Sequence, residues 1–419
     1  MIQKYNCSNG VRIIHEKMPH LQSVAIGIWV HAGSANETKE QGGIAHFIEH
    51  MLFKGTDTRS ARMIAEQFDQ IGGDLNAFTS KEMTCYYTTV LSHHASYALT
   101  VLSDMFFHSQ FKEEEMEKEK SVILDEISSV EDMPDEDVDE RLWAGMFPED
   151  AIGKPVGGRI ETIKSFTKEM VEEFMVKHYR PENLVISIAG NYDERLIKLI
   201  EANFGSYQGK EQSSVSILDE SVPNFTAQQI IKAKDIEQAH VCFGYPSLPS
   251  THDKIYELSL FDSILGGTMS SRLFQEVREN RGLAYSVYTY YAAYENAGSF
   301  VIYCGTSPEN FQETYRTIDQ VIAEVLHDGL TDKELRNAKE QLKGSFVLGL
   351  EGSESRMYRN GRNELVLGKH QTIDEVVEHI ENVEKRSVYR LGQQMLASDR
   401  AISIIAPKSN IQQLKKLQN

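Results

Sequence analysis

The feature that most constrains the fold of this chain is an internal repeat, in which the order of predicted elements in the first half returns in the second. Apolar, β-branched segments predict a strand at residues 24–32 and another at 240–245. A polar turn and an amphipathic helix ending in Gly-Thr follow each strand, at residues 43–56 and 256–268. The offset between matching segments stays between about 209 and 220 residues, which a chance resemblance would not sustain.

The remaining segments of the two halves also correspond. Strand-rich stretches lie at residues 76–90 and 285–303, and long charged helices begin near Lys112 and Thr331. Each half closes with a helix, a strand and another helix, and consecutive strands are spaced as hairpins, without the tight spacing of βαβ units. The predicted fold class is α+β, with two tandem similar domains, each a mainly antiparallel β-sheet backed by α-helices.

A polar segment without periodic pattern separates the two halves. We expect an N-terminal domain at residues 1–210, a linker at 211–228 and a C-terminal domain at 229–419. The length of 419 residues accommodates two such domains.

The charge and the cysteines restrict the partners and the compartment. A formal net charge of −19 repels phosphate, which argues against nucleic acid and anionic membranes as partners and favours cationic ligands. The four cysteines are far apart and form no CxxC pair, so neither a disulfide framework nor a thiolate zinc cluster is indicated. The N-terminus lacks a secretory pattern, and no apolar stretch approaches the roughly 18–20 residues of a membrane span. We therefore expect a cytoplasmic protein.

The residues that indicate chemistry lie on the first helix of the repeat, in the sequence His46-Phe-Ile-Glu49-His50. Positions i, i+3 and i+4 share one face of a helix, so both imidazoles and one carboxylate converge. Two neutral imidazoles suit Zn²⁺, and Glu49 is placed to polarise a water on the metal instead of binding the metal itself. This H-x-x-E-H order inverts the commoner H-E-x-x-H metalloprotease helix.

The simpler interpretation of this motif is a helix with two histidines on a half-exposed face. Under that interpretation, the second half should show no patterned relation to these positions. Its counterpart helix instead carries Leu258, Phe261 and Asp262 where His46, Glu49 and His50 stand. The pattern therefore indicates one working copy of the site and one copy without metal.

A catalytic zinc needs a third protein ligand, which must come from another element. The nearest carboxylate-rich helix covers residues 112–130. There Glu126 follows the apolar Val122-Ile-Leu, which should face the core, so its carboxylate would need a partner such as a metal. Glu119 lies two helical turns earlier on the same face, where it is placed to orient a ligand or water. On this reasoning, Glu126, Glu119 and Asp125 all remain candidates for the third ligand.

These residues resemble the inverted-zincin family of pitrilysin, insulysin and the mitochondrial processing peptidase, above all its bacterial processing-peptidase-like members. The sequence HFIEH followed by MLFKGT carries the resemblance, which extends over the whole chain because the family is built from tandem similar domains. The resemblance implies that Glu126, 76 residues after His50, is the third zinc ligand and that Glu119 is an accessory acid. It also implies a zinc-dependent endopeptidase with one Zn²⁺ per chain and Glu49 as general base.

Two further motifs match this family. The sequence GGDLNAFT resembles its substrate-binding edge strand, where backbone groups around Asn76, Ala77 and Phe78 would bond an extended peptide. Arg278 and Tyr285 resemble the family's Arg/Tyr pair, which binds substrate and stabilises the charge that builds on the scissile carbonyl.

The resemblance also bears on partners. Larger relatives combine four such domains around a chamber, so a chain of two domains would need a second copy to close it. We therefore expect a homodimer that forms a closed chamber around a peptide or an unfolded protein substrate. Two other classes remain open: a noncatalytic core or assembly subunit of the same fold, and a small-molecule metalloenzyme that also uses H-x-x-E-H.

Overall fold

The structure is a computed structural model that describes residues 2–209 and 222–411. Most of the predicted linker, residues 211–221, lies outside the described residues, and residues 222–228 have no regular secondary structure. The described residues form two sheets, each of which lies in its own compact unit.

The first half of the chain forms a six-stranded sheet with helices. Its strands are β1 (Ile2–Asn6), β2 (Arg12–Lys17), β3 (Ser23–Val30), β4 (Asp74–Thr79), β5 (Thr84–Leu91) and β6 (Leu184–Gly190). Its helices are α1 (Ile44–Leu52), α2 (Ala61–Ile71), α3 (Ala95–His108), α4 (Glu113–Asp132), α5 (Pro134–Met146), α6 (Ile160–Ser165), α7 (Lys168–His178) and α8 (Glu194–Phe204). The strands lie in the order β1-β2-β6-β3-β5-β4, and every neighbouring pair is antiparallel except β2 with β6.

The second half forms a five-stranded sheet with helices. Its strands are β7 (Gln229–Ala233), β8 (Ala239–Pro246), β9 (Ala284–Ala293), β10 (Gly298–Thr306) and β11 (Ala401–Ala406). Its helices are α9 (Ile255–Leu265), α10 (Phe311–Asp328), α11 (Asp332–Gly349), α12 (Ser353–Arg362), α13 (Ile373–Asn382) and α14 (Lys385–Leu396), with π-helical segments at Phe274–Asn280 and Asn363–Leu367. The strands lie in the order β7-β11-β8-β10-β9, and β7 with β11 is the one parallel pair among them.

The two sheets confirm the predicted fold class. The order β2-β6-β3-β5-β4 returns as β7-β11-β8-β10-β9, and the parallel pair occupies the same place in both sheets. The strands predicted at residues 24–32 and 240–245 are β3 and β8, and the helices that follow them are α1 and α9. None of the helices in the described part of the chain has the length and apolar character needed to cross a membrane.

One face of each sheet is covered by helices of its own half. In the first unit Ile28 of β3 belongs to the same buried cluster as Phe47 and Ile48 of α1. In the second unit Phe243 of β8 and Phe261 of α9 share the corresponding cluster. Helix α1 therefore buries one side against its sheet, and its other side can carry polar residues.

The other face of each sheet is covered by a segment from the other half of the chain. Residues 129–153, which include α5, belong to the compact unit of the second sheet, and residues 348–370, which include α12, belong to that of the first. The predicted domains at 1–210 and 229–419 each hold one complete sheet, whereas these two covering segments are exchanged between the units.

Glycines let the exchanged helices lie close to the sheets. A Cβ atom on Gly27 of β3 would lie 2.5 Å from Sδ of Met357 in α12, and one on Gly244 of β8 would lie 2.4 Å from Sδ of Met146 in α5. Gly27 and Gly244 end the similar sequences VAIG and VCFG. Both halves of the repeat therefore have the same arrangement, in which a glycine of the sheet faces a helix from the other half of the chain.

Candidate metal centre

His46, His50 and Glu126 lie together in the first unit. The Nε2 atoms of the two histidines are 3.1 Å apart, and Oε2 of Glu126 lies 3.9 Å from that of His46 and 3.7 Å from that of His50. A tetrahedral zinc ion with bonds of about 2.0–2.1 Å separates its ligand atoms by about 3.3 Å. The two nitrogens and one oxygen therefore fit a single zinc ion, and three protein ligands leave one tetrahedral position for water.

Helix α1 orients both histidines. Phe47 and Ile48 are completely buried, whereas the side chains of His46 and His50 retain 19% and 18% of their exposure. The helical spacing thus turns the apolar residues to the sheet and the two imidazoles to the partly open side of α1.

The N-terminus of α1 is capped by Glu37, a residue that was not predicted to take part in the site. Its two carboxylate oxygens accept hydrogen bonds from the backbone N–H groups of Gly43, at 2.8 Å, and Ala45, at 2.9 Å. Burial raises the pKa of Glu37 to about 8, although these two N–H groups act in the opposite direction. The cap fixes the start of the helix that carries the motif.

The two imidazoles differ in their electrostatic surroundings. Burial, with a smaller contribution from His50, lowers the pKa of His46 to about 4, which favours the neutral form that binds metal. Burial also acts to lower the pKa of His50. The hydrogen bond to Glu119 and the charge of Glu126 outweigh it, so that this pKa lies above its ordinary value.

Glu119 holds His50 from the side opposite the metal position. Its Oε1 lies 2.8 Å from Nδ1 of His50, and its Oε2 lies 2.5 Å from Nζ of Lys54. Burial opposes the charge of Glu119, but the hydrogen bonds from His50 and Lys54 hold its pKa below the ordinary value. A proton on Nδ1 of His50, donated to this carboxylate, leaves the Nε2 lone pair for a metal. Lys54 carried no spacing signal in the sequence.

Glu126 reaches the site from an exposed position, although Ile123 and Leu124 of the preceding apolar segment face the core as expected. Val122 is 44% exposed and the side chain of Glu126 is 49% exposed, whereas Ile123 is completely buried. The spacing of seven residues puts Glu126 and Glu119 on the same side of α4, two turns apart. This shared side brings both carboxylates to the histidines.

Glu49 is held by a threonine from the neighbouring strand. Oγ1 of Thr79, the last residue of β4, donates a hydrogen bond to Oε2 of Glu49 at 2.5 Å. Burial raises the pKa of Glu49, and the charge of Glu126 adds to this effect. A carboxylate whose pKa is raised accepts a proton more readily near neutral pH. Thr79 was also not predicted as a site residue, although it stands in the GGDLNAFT motif.

Asn76, Ala77 and Phe78 lie on β4, which forms one edge of the six-stranded sheet. Oδ1 of Asn76 accepts the backbone N–H of Ala77 at 2.8 Å. The ring of Phe78 contacts Trp29 and Tyr358 of α12, with centroids 5.6 and 5.5 Å apart. An extended peptide bound along this edge would add a further strand to the sheet.

Arg278 and Tyr285 lie together in the second unit, whereas the candidate metal ligands lie in the first. The Arg278 guanidinium carbon is 4.5 Å from the ring centroid of Tyr285 and 4.7 Å from that of Phe274. Its Nη1 donates to the backbone carbonyl of Tyr285 at 3.2 Å. Tyr285 is 75% exposed, so its hydroxyl is accessible to another molecule.

Helix α9 of the second unit has a different chemistry at the matching positions. Leu258 and Phe261 are completely buried. Oδ1 of Asp262 accepts a hydrogen bond of 2.7 Å from Oγ1 of Thr289 on β9, and burial raises the pKa of Asp262 to about 7. The second unit therefore keeps a bond between a strand threonine and a helix carboxylate, without the two histidines.

Comparisons with known proteins agree with these features. Residues 12–159 match the family model described as Insulinase (Peptidase family M16), and residues 165–342 match the Peptidase M16 inactive domain. The uncharacterized zinc protease YmxG of Bacillus subtilis is 48% identical over 98% of this chain and 100% of its own length. An uncharacterized zinc protease of Streptomyces coelicolor is 36% identical over 97% of this chain and 90% of its own length.

Solved structures share the fold. A peptidase M16 inactive domain from Pseudomonas fluorescens has a TM-score of 0.89 at 21% identity, covering 97% of this chain and 98% of that one. A protease from Helicobacter pylori has a TM-score of 0.89 at 19% identity, covering 97% and 99%. The resemblance inferred from the sequence is confirmed, and the chain belongs to peptidase family M16.

Proposed function

We propose that the protein is a zinc-dependent endopeptidase that cleaves peptides or unstructured protein segments. The observation that carries the proposal is the convergence of His46, His50 and Glu126 at distances that suit one zinc ion per chain. The relatives named zinc proteases support zinc as the metal and peptide hydrolysis as the reaction.

The proposed reaction uses the chain's own groups to move one proton. A zinc ion in the site would act as a Lewis acid and lower the pKa of a water molecule toward about 7. Glu49 takes a proton from this water as its oxygen attacks the carbonyl carbon, and then gives the proton to the leaving amine. Arg278 and Tyr285 are suitable donors to the negative charge that builds on the carbonyl oxygen.

The proposed substrate is a peptide in an extended conformation. The edge strand β4 ends at Thr79, which contacts Glu49, so a peptide paired with Asn76, Ala77 and Phe78 would lie beside the proposed base. A helical segment cannot present its backbone to a strand edge in this way, because its N–H and C=O groups are already paired within the helix. The net charge of −19 favours basic peptides among these substrates.

The proposed assembly is a cytoplasmic homodimer that closes a chamber around the substrate. In it, the metal site of one chain would receive Arg278 of the partner subunit and Tyr285 of the partner subunit. The four cysteines are buried free thiols, which is consistent with the reducing cytoplasm.

Metal analysis combined with cleavage of an unfolded peptide tests the proposal. We expect the purified chain to hold about one zinc ion and to cleave the peptide in a chelator-sensitive way, faster for a basic peptide than for an acidic one of equal length. Glu49→Gln should keep the zinc and lose at least about 10³-fold in kcat, whereas His50→Ala should lose both zinc and activity.

Other results of these experiments would lead to different conclusions. A fully active Glu49→Gln variant would contradict the assignment of the base. A wild-type chain that neither binds zinc nor cleaves peptides would support a noncatalytic subunit, and one that binds zinc without cleaving peptides would favour a small-molecule metalloenzyme.

A further inference from the structure

We propose that Thr79 is a positioning residue for the catalytic base: its hydroxyl holds one oxygen of Glu49, so that the other oxygen is the one that takes the proton from water. This inference rests on the proposed function and deepens it, because it links a residue of β4 to a base and metal ligands that lie on α1 and α4. It concerns the orientation of Glu49 and assigns no metal ligand.

The hydrogen bonds around Thr79 direct its single hydroxyl proton to Glu49. Oγ1 of Thr79 lies 2.5 Å from Oε2 of Glu49 and 3.4 Å from Oγ1 of Thr84. The hydroxyl of Thr84 donates to the backbone carbonyl of Ala32 at 2.9 Å, so its own proton is already used. A hydroxyl has one proton to donate, and Thr79 donates it in the shorter contact, to Oε2 of Glu49. Oε2 of Glu49 is thereby engaged, and Oε1 remains for the proton transfer.

Orientation matters for this side chain because glutamate has three rotatable bonds and only some conformers reach a bound water. A base must lie within hydrogen-bond distance of the proton that it removes, and a displacement of about 1 Å can cost about 10²-fold in rate. The bond from Thr79 selects one conformer before the substrate arrives.

The position of Thr79 in the sheet also couples the base to the substrate. Thr79 is the last residue of β4, directly after Asn76, Ala77 and Phe78, along which the peptide is proposed to bind. The same strand would therefore fix the peptide backbone and the base relative to each other. A threonine on a loop would not provide this common frame, because loops move more than sheet strands.

A second threonine–carboxylate bond in the same chain offers a matched control. In the second unit Oγ1 of Thr289 on β9 donates to Oδ1 of Asp262 on α9 at 2.7 Å. If such bonds only tie a helix to a strand, loss of either hydroxyl should lower stability and leave catalysis unchanged. If Thr79 positions the base, its loss alone should slow catalysis.

The experiment compares wild type, Thr79→Val, Thr79→Ser and Thr289→Val as zinc-loaded, full-length proteins. It measures zinc content, Tm, and kcat and KM for one unfolded peptide. We expect Thr79→Val to keep its zinc and its KM within about 2-fold while kcat falls by about 10- to 100-fold. Thr79→Ser should recover most of kcat because it restores the hydroxyl, and Thr289→Val should keep the wild-type kcat.

Provided that the wild type is active, any of three results overturns the inference. Thr79→Val keeps the wild-type kcat, or Thr79→Ser is as slow as Thr79→Val. The third is that Thr289→Val lowers kcat as much as Thr79→Val does. A wild type that holds zinc and cleaves nothing would contradict the proposed function and this inference with it. If Thr79→Val does not fold, as judged by Tm, Thr79→Ala takes its place in the same comparison.

Discussion

His50 illustrates how single residues prepare the candidate metal centre. Its Nδ1 faces Oε1 of Glu119, and the other oxygen of that carboxylate faces Lys54. Because both oxygens have cationic or N–H partners, Glu119 is held in one orientation, and the imidazole with it. Residues that orient metal ligands in this way typically contribute 10- to 100-fold to metal affinity.

Replacing Glu119 by glutamine should therefore weaken zinc binding. The amide carries no charge, and whichever way it is turned, its NH₂ group faces the ammonium of Lys54 or the N–H of His50. We expect the zinc dissociation constant to rise about 10- to 100-fold in competition with a chromophoric chelator. Glu117→Gln, which removes an exposed glutamate from the same helix, should bind zinc as the wild type does. Equal affinities of the Glu119→Gln variant and the wild type would exclude this role for Glu119.

The spacing of the motif was sufficient to predict that His46, Glu49 and His50 share a helix face, because that depends on local geometry alone. Glu126 was identified among three acids only through the family resemblance, and the argument from its burial was wrong. Thr79 and Lys54 were not predicted. Their partners lie 30 and 65 residues away in sequence, and no periodic pattern relates them.

At the scale of elements, α1 and α9 occupy matching places in the repeat but carry different ionisable side chains. Helix α9 carries Asp262, whose one described hydrogen-bond donor from a side chain is Thr289. Burial raises the pKa of Asp262 to about 7, so the folded protein holds a proton there that the unfolded chain loses near pH 4. Stability should therefore fall as the pH rises from about 4 to about 7 and then level off.

Asp262→Asn should remove this pH dependence. We expect the variant to be more stable than the wild type at pH 8 by about 2–4 kcal/mol, from about 1.4 kcal/mol for each unit of pKa shift. The advantage should be about 2–3 kcal/mol smaller at pH 5, where the folded wild type is already protonated. Chemical denaturation at the two pH values measures both quantities. Asp253→Asn, at an exposed position, controls for the loss of one charge, and an advantage independent of pH would contradict the explanation.

Elements with strong local patterns were predicted well. The β-branched segments became β3 and β8, and the charged helices predicted from Lys112 and Thr331 begin at Glu113 and Asp332. The segment Phe274–Asn280 is π-helical, and so differs from an α-helix in its hydrogen bonds. Apolar spacing does not distinguish hydrogen bonds to the fourth residue from those to the fifth, so this difference could not be predicted.

At the scale of the whole molecule, the proposed homodimer requires that sites be shared between chains. A mixture of Glu49→Gln and Tyr285→Phe chains tests this requirement. Each variant alone should be nearly inactive, but a mixed dimer would contain one site with an intact base and an intact tyrosine. With random pairing, half of the dimers are mixed and each has one intact site, so we expect about a quarter of wild-type activity.

The control for this experiment mixes two variants whose substitutions lie in the same unit. Glu49→Gln mixed with His50→Ala should regain no activity, because every site then carries one defect of the metal centre. If the Glu49→Gln and Tyr285→Phe mixture is no more active than its separate components, Tyr285 does not act from the partner subunit.

The repeat predicted two similar halves, but the sequence alone could not show which sheet each covering helix would join. Helices α5 and α12 stand at matching places in the repeat, and each buries apolar residues against a sheet, Leu142 in α5 and Met357 in α12. The pattern is the same whether such a helix packs on its own sheet or on the other one. Only the three-dimensional contacts distinguish the two arrangements.

This exchange has a consequence for how the protein is made on the ribosome. When residue 209 has been synthesised, all six strands of the first sheet exist, but α12, which covers Trp29 of β3, is roughly 140 residues away. At a translation rate of about 5–20 residues per second, α12 is synthesised roughly 7–28 s later. The nascent chain would expose an apolar surface throughout this interval, so the first unit depends on the synthesis of α12 to complete its core.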